Sequence, residues 1–560
     1  MSRTAKAIIR ITVMGILFLL FFIGCASAAG EKVLTASCPS VCGEKVVSRT
    51  GKSGMILSIP GSWDLSKIVL EMDGEPVLYL GSGKTEIAAG QETDLSGLTG
   101  KQTRLWGSKR ELEHLTILQG SRIPSLFLEV DGKQLKKVNS SKDNEITEGR
   151  AAYIESDGTV TYDGPLKQLK GRGNNTFSYA KKPYQLKLGE KVSLSGMGRG
   201  KTWILLANYA DVSLLRNQIV LDLSREIGLK YAVKCVQADV WINGVYNGLY
   251  LLTEKIQIGK ERIDITNLEK ATEKVNDQPF DPGKITLEKS KACPIMRSYP
   301  NVKDPEDITG GYIMTVEKPA RMKYYVVTGF RTDNDLNIRI KEPTYPSREQ
   351  EKYLLGRIAQ MHSAILAEDG IEPETGRSYD TYLDTDSFAR KFLIEEWCKN
   401  YDFFGGSQYL YKDSDLVDPL IYAGPSWDYD LSFGNMKDRG YLATGKYLTA
   451  YRRKHNLYWL LYRHDSFQEK TEEIWRKTFR PAVAVLTGES EAEPDGILRS
   501  LDDYQERIRA SAEMNYRRWG TSHAVTAGGE DFDKAAAYLK QWIAERTAWM
   551  DREYNPETGE

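Results

Sequence analysis

Acidic residues stand at both ends of the stretch from Asn400 to Gly434. It reads N-Y-D-F-F-G-G-S-Q-Y-L-Y-K-D, then a polar turn, then G-P-S-W-D-Y-D-L-S-F-G. Asp402 follows an apolar, helix-like run, and Asp428 and Asp430 close a strand-like one. Phosphoryl transfer assisted by a divalent metal needs carboxylates in two such places. One orients a hydroxyl nucleophile, and another holds the metal that bridges nucleotide phosphates. A lone D-x-D is more often a pair of solvated loop acids, so the reading depends on what the rest of the chain supplies.

The elements upstream come in a suggestive order. Ser125 to Val130 reads as a strand ending at Asp131-Gly132, a hairpin signal, and Arg150 to Glu155 as a second strand. Then follow K-G-R-G-N-N-T-F (170–177) and K-K-P-Y-Q-L-K-L (181–188). A glycine turn between strands lets backbone N–H groups approach phosphate oxygens. A lysine on the next strand can reach them as a point charge. A strand from Trp203 leads to a helix over Leu214–Ile227, capped by Asp211 or Ser213 and stopped at Gly228. Asp222 and Glu226 lie one turn apart on it, and either could pair with a phosphate-binding lysine. Val236–Ile242 and Gly248–Lys255 form a strand pair around Asn243-Gly244. Strand, glycine turn, lysine strand, helix, strand pair and connector is the order of a kinase N-lobe.

Around this block the chain is less specific. Residues 31–120 read as a β-rich region without a chemical motif, and 269–308 as a polar inserted loop. Helices are expected over Ser347–Glu368 and from Asp386 to Cys398, the second delivering the chain to Asp402. Further helices are expected over Asp465–Phe479, Asp495–Arg517 and Gly529–Tyr554.

The 560 residues allow several domains, and 76 basic against 77 acidic side chains build no field of one sign. Bulk attraction to nucleic acid is therefore not expected. Residues 1–28 have the basic, apolar and small-residue order of an export signal. Cleavage after Ala28 would release the chain; alternatively Phe22-Ile23-Gly24-Cys25 would make Cys25 a lipid anchor, the one membrane attachment expected. Either route puts the protein outside the cytoplasm, at the cell surface or secreted. Cys38 and Cys42 could pair, whereas Cys235, Cys293 and Cys398 read as buried thiols, and no Cys/His spacing suggests zinc.

These pieces resemble the CotH family, spore-coat protein H-like atypical secreted kinases. The resemblance is carried by K-G-R-G-N-N-T-F with K-K-P-Y-Q-L-K-L, L-L-A-N-Y-A-D-V-S-L-L-R-N (205–217), N-G-V-Y-N-G-L-Y-L-L-T-E-K-I (243–256), G-G-Y-I (310–313), Y-L-Y-K-D and W-D-Y-D-L-S-F-G. It implies an α+β, two-lobed atypical protein-kinase-like fold: an N-lobe over 121–268, a mostly helical C-lobe and C-terminal helices over 309–560, and the β-rich appendage in front. It implies transfer from ATP, with Mg²⁺ or Mn²⁺, to Ser/Thr hydroxyls of an unidentified extracytoplasmic protein. By the same analogy Asp402 is the catalytic residue, Asp428 and Asp430 the metal positions, and Arg172, Gly173, Lys187 and Glu254 the nucleotide-binding residues, with Lys182 a competitor for Lys187. The chain departs from ordinary kinases at Ser407, where a metal-binding Asn is expected, and Asp428-Tyr429-Asp430 replaces D-F-G. Two rivals remain: a non-catalytic coat or surface scaffold with this fold, and a D-x-D glycosyltransferase.

Overall fold

A computed structural model describes residues 33–51, 53–83, 85–277, 285–288, 295–324, 327–448, 456–521 and 529–554. The export segment with Cys25, and Cys293, lie outside these residues.

Seven strands close on themselves. In spatial order they are Arg199–Leu206, Tyr184–Ser193, Val160–Gly171, Gly149–Ile154, Ser125–Glu129, Cys235–Ile242 and Val245–Glu254, and the last pairs back to the first. All neighbours are antiparallel except Ser125–Glu129 with Cys235–Ile242. Closure removes exposed edges, and side-chain alternation divides each strand between two environments. Leu186, Leu188, Trp203, Leu205, Tyr250 and Leu252 fill the interior. Ile204 and Leu251 point outward into a separate apolar cluster with Leu221, Val233 and Trp427. The two strands around Asn243-Gly244 turn as expected, because both residues take positive φ, 51° and 76°, as a type I′ hairpin requires.

Asp131-Gly132 makes no hairpin. Asp131 caps a helix, Gly132–Ser140, with Oδ1 accepting the Gln134 N–H at 2.8 Å. The same residues suit both uses, since a short acidic side chain before glycine can serve a turn or an N-cap equally.

The region before residue 120 is β-rich, as expected, but it is not a separate appendage. Strands Lys45–Val47, Leu34–Ser37, Ile68–Met72 and Glu92–Thr93 prolong the barrel sheet beyond Val245–Glu254. A second, six-stranded sheet lies against them, and Leu57, Leu70 and Ile117 share one core with Phe127 and Trp241 of the barrel. Cys38 and Cys42 are free thiols. Cys38 is buried, and the Cys42 N–H bonds back to its carbonyl in a tight turn.

The chain after the barrel is less helical than the sequence suggests. A seven-stranded sheet runs Thr286–Glu288, Ile295–Ser298, Gly329–Arg331, Asn337–Glu342, Tyr312–Val316, Gln408–Lys412 and Ile421–Ala423. Its first two strands, with the helix Leu268–Lys274, come from the stretch read as an inserted loop. Strands of three to six residues leave too short an alternation to separate from polar connectors. Helices Arg348–Leu366 and Thr385–Cys398 pack into the large core beside this sheet. Ser347 and Gln350 form the capping box of the first. Beyond residue 424 the described elements are all helical, ending with Leu501–Trp519 and Phe532–Tyr554. Leu501–Trp519 returns to the barrel, where Asn515 accepts the Leu249 N–H at 3.2 Å and Trp519 donates to the Asn247 carbonyl at 2.9 Å. Among the described residues no helix is long and apolar enough to cross a membrane.

Candidate active site

The helix Thr385–Cys398 ends where Lys399 enters the left-handed region, at φ 45°. The Lys399 ammonium is buried against the carbonyls of Gly440, Ala443 and Gly445, at 3.1, 2.7 and 2.6 Å. Burial, together with nearby Arg546, draws its pKa down to about 7. Asn400 then caps the single turn Tyr401–Phe404, its Oδ1 accepting the Asp402 N–H at 3.0 Å. Asp402 is thereby fixed at the start of a short helix with its side chain 26% exposed. Lys318 Nζ stands 3.9 Å from its Oδ1.

The second acidic segment is fastened to the L-L-A-N-Y-A-D-V-S-L-L-R-N motif and the helix it starts. Asn217 accepts the Tyr429 N–H at 2.7 Å, and Arg216 donates to the Ser432 carbonyl at 3.0 Å. Asn435 bridges the carbonyls of Ala210 and Asp430, at 3.0 and 2.6 Å. Ser224 and Ser426 share a hydrogen bond of 2.8 Å. The motif's own polar groups are satisfied internally by the buried Asp211–Arg216 pair and the Asn208–Asn217 bond. The Asp211 carboxylate also takes the Arg216 N–H at 3.0 Å and the Ser213 N–H at 3.0 Å; the helix begins only at Arg216, with Leu215 at its N-cap, so neither Asp211 nor Ser213 stands in the capping position expected.

Between the two acids, Tyr429 turns into the core. Its hydroxyl lies 2.7 Å from Lys391 Nζ and 2.8 Å from Glu395 Oε1, and Lys391 and Glu395 form a fully buried ion pair on Thr385–Cys398. Asp428 holds φ 74°, uncommon for a residue with a side chain. Its Oδ2 accepts the Ser407 hydroxyl at 3.1 Å. Asp430 is buried, and its carboxyl is raised well above the ordinary range, by burial first and then by the negative field of Asp428, Asp402 and Asp211. The three acids singled out by sequence thus converge, and Asp211 joins them.

The barrel supplies the cations. Arg172, from the glycine turn, places its guanidinium 5.0 Å above the Trp427 ring. Burial pulls its pKa down while Tyr409 and Asp428 draw it back. Gly171 is required there, since a Cβ would lie 2.1 Å from the Phe177 ring. Gly173 takes φ 86°, and its carbonyl accepts Lys142 at 2.8 Å. Lys255 is lowered by burial; Glu342 counters this, and Lys170 and Arg172 add to it. Lys170 and Arg172 therefore gather about Lys255, and of the three it is Arg172 that Asp428 draws.

Other expected residues stand elsewhere. Lys187 is exposed on the outer barrel face, in register with Gln168 and Thr202. That is three residues, or about 10 Å, along the strand from the rung that carries the glycine turn. Lys182 donates to the Phe177 carbonyl at 2.7 Å. The Glu254 carboxylate is committed to structure: Arg262 Nη1 lies 2.8 Å from Oε1, and the Lys234 N–H 3.1 Å from Oε2. Asp222 pairs with Arg225 at 3.6 Å and accepts the Tyr504 hydroxyl at 2.9 Å, so it faces a late helix rather than a phosphate-side lysine. Glu226 is exposed.

Among the described residues, no three His, Cys, Asp or Glu side chains form a cage able to hold a metal alone. The donors suit another arrangement. Mg²⁺ and Mn²⁺ accept one or two carboxylates and take their remaining ligands from substrate phosphates and water. Asp428 and Asp430 offer that pair, and the suppressed ionisation of Asp430 is the charge imbalance a cation would relieve.

A family model described as CotH kinase protein matches residues 169–550. The chain belongs to the CotH kinase family. That membership points to a kinase-like function and covers both acidic segments, the glycine turn and the terminal helices. A search of curated proteins finds no match.

Lys170, Lys255 and Lys318 were not among the expected site residues. The first two stand inside quoted motifs, but only the fold shows that they gather beside Arg172.

Proposed function

We propose that the chain transfers the γ-phosphoryl group of ATP to Ser or Thr hydroxyls of a protein outside the cytoplasm. In this reading the closed barrel acts as the nucleotide lobe of a two-lobed kinase-like fold, and the second sheet with its helices as the other. The observation that carries it is the placement of Arg172, from the glycine turn, over the Trp427 ring and within the field of the adjoining Asp428, more than 250 residues away in sequence. Arg172, Lys170 and Lys255 bind the phosphates, and the glycine turn lets the backbone approach them. Asp428 and Asp430 would hold Mg²⁺ or Mn²⁺, which when bound supplies positive charge at the phosphates. Ser407, standing where a second metal ligand was expected, orients Asp428 by hydrogen bond. Asp402 orients the acceptor hydroxyl and accepts its proton. Catalysis of this kind is mostly positioning and electrostatics. The basic-apolar-small N-terminus supports an extracytoplasmic location, secreted or anchored at Cys25.

The test uses γ-labelled ATP, Mg²⁺ or Mn²⁺ and dephosphorylated casein. Wild type should label the acceptor, Asp428→Ala should not, and Asp402→Ala should keep ATP-dependent thermal stabilisation while losing transfer. Stabilisation by ATP without wild-type labelling would overturn the enzyme reading in favour of a binding scaffold. A response to a nucleotide sugar alone would favour glycosyl transfer.

A further inference from the structure

Lys318 belongs to none of the motifs, yet it is fixed beside Asp402. It follows the strand Tyr312–Val316, whose last residue pairs with Gln408. The Gly406 N–H bonds to the Val316 carbonyl at 2.8 Å, so the loop after Asp402 is stitched to the chain that carries Lys318. The two segments touch at Gly405. A Cβ there would lie 2.3 Å from Lys318 Cγ and 2.9 Å from its backbone nitrogen. The absent side chain lets the lysine stem cross the loop. Its ammonium reaches 3.9 Å from Asp402 Oδ1 and 5.5 Å from the centre of the Tyr401 ring.

This is a poor arrangement for a merely stabilising pair. Both side chains are partly exposed, 32% and 26%. A pair with that exposure contributes little to stability. It is a good arrangement for charge presented to a ligand. The neighbouring field is negative, from Asp402, Asp428, Asp430 and Asp211. A phosphoryl group brought up to Asp402 adds further negative charge, and a cation is needed on that side. Arg172 approaches Asp428 from the barrel, with Lys170 and Lys255 behind it, whereas Lys318 approaches from the second sheet.

We propose that Lys318 is a catalytic residue, its ammonium binding a non-bridging oxygen of the phosphoryl group as it passes to the acceptor beside Asp402. This rests on the phosphotransfer reading above. In the step, the acceptor oxygen forms the new O–P bond. The bond between the γ-phosphorus and the β–γ bridging oxygen breaks, and its electron pair leaves with ADP. The hydroxyl proton goes to Asp402, and Lys318 keeps its own protons throughout. Its contribution grows as charge moves onto the transferring oxygens, so it acts on kcat more than on ATP binding.

The test compares wild type, Lys318→Met and Lys318→Arg in the full chain, with Mg²⁺, γ-labelled ATP and dephosphorylated casein. Lys318→Met is expected to lower kcat about 100-fold, the usual loss when one charge-stabilising donor is removed. KM for ATP should stay within about twofold by the same reasoning, with Tm unchanged. Lys318→Arg, which restores the charge, should recover much of the loss. Transfer by Lys318→Met within about threefold of wild type, well short of that donor loss, overturns the proposal alone. So does equal loss in both variants with a lowered Tm, the signature of a structural pair. Absence of labelling by wild type overturns the phosphotransfer reading itself, and this proposal with it.

Discussion

The buried Lys391–Glu395–Tyr429 group allows a sharp test of how the acidic loop is held. Lys391 and Glu395 are essentially inaccessible. The Tyr429 hydroxyl touches both, and Glu395 Oε2 has no protein partner. Lys391→Met leaves the Glu395 charge buried beside a phenol that cannot neutralise it. Breaking one side of such a pair costs about 3–5 kcal/mol. Removing both charges, in Lys391→Met with Glu395→Leu, eliminates the desolvation penalty along with the attraction. The remaining cost is a Tyr429 hydroxyl that has lost Lys391 and Glu395 and keeps Ser426, at most about 1–3 kcal/mol, which Tyr429→Phe added to the double variant should recover. The double variant should therefore be more stable than Lys391→Met alone, with a coupling of several kcal/mol in urea unfolding followed by far-UV circular dichroism. Transfer activity should track the same order, because Tyr429 sits between Asp428 and Asp430 and anchors both. Additive single costs, or a Lys391→Met cost below about 1 kcal/mol, the level of an exposed pair, would refute the claim that this pair is buried, mutually dependent and responsible for seating the loop.

Two further outcomes follow from the site. Asp430 has its folded-state pKa raised, so the native chain resists losing this proton while the unfolded chain gives it up near pH 4. The unfolded state then binds fewer protons across the window above about pH 4, and the group's contribution falls as pH rises toward neutral. Asp430→Asn should accordingly raise the Tm of the metal-free chain at pH 7 and flatten its pH dependence between pH 5 and 8. It should also reduce the added stabilisation from Mg²⁺ with ATP; thermal scans with and without EDTA read both effects. Gly171→Ala forces a Cβ to within 2.1 Å of the Phe177 ring, so the ring or the turn that carries it must shift. KM for ATP is expected to rise about tenfold, equivalent to the ~1.4 kcal/mol scale of one displaced contact, with little change in the far-UV spectrum.

Much of the molecule was legible in its sequence. Hydrophobic period placed the barrel strands and the helices Arg348–Leu366 and Thr385–Cys398, because each buries a regular stripe long enough to recur several times. Positive-φ chemistry at Asn243-Gly244 announced its own turn. The acids Asp402, Asp428 and Asp430 stood out because charged residues beside aromatic runs are costly unless they are used. The strands Thr286–Glu288, Ile295–Ser298, Gly329–Arg331 and Asn337–Glu342 were not legible: three to six residues, bounded by polar loops, give too few alternations. Nor was the use of Asp131 as a helix cap, since turn and cap ask for the same residue type.

What tertiary structure decided was partnership. Lys187 and Lys170 look alike in sequence and share one face of the barrel; Lys187 lies exposed three residues from the rung of the glycine turn, whereas Lys170 adjoins that turn, near Lys255 and Arg172. Glu254 reads as a site acid, but Arg262, eight residues later in a loop, folds back and takes its charge. Lys318 shows no motif, and only the pairing of Val316 with Gln408 puts it beside Asp402. Residue type and period fix what a short segment can be, because those depend on local geometry. Which charges meet depends on contacts between segments hundreds of residues apart, and the closed barrel and the second sheet create those contacts only when the whole chain has folded.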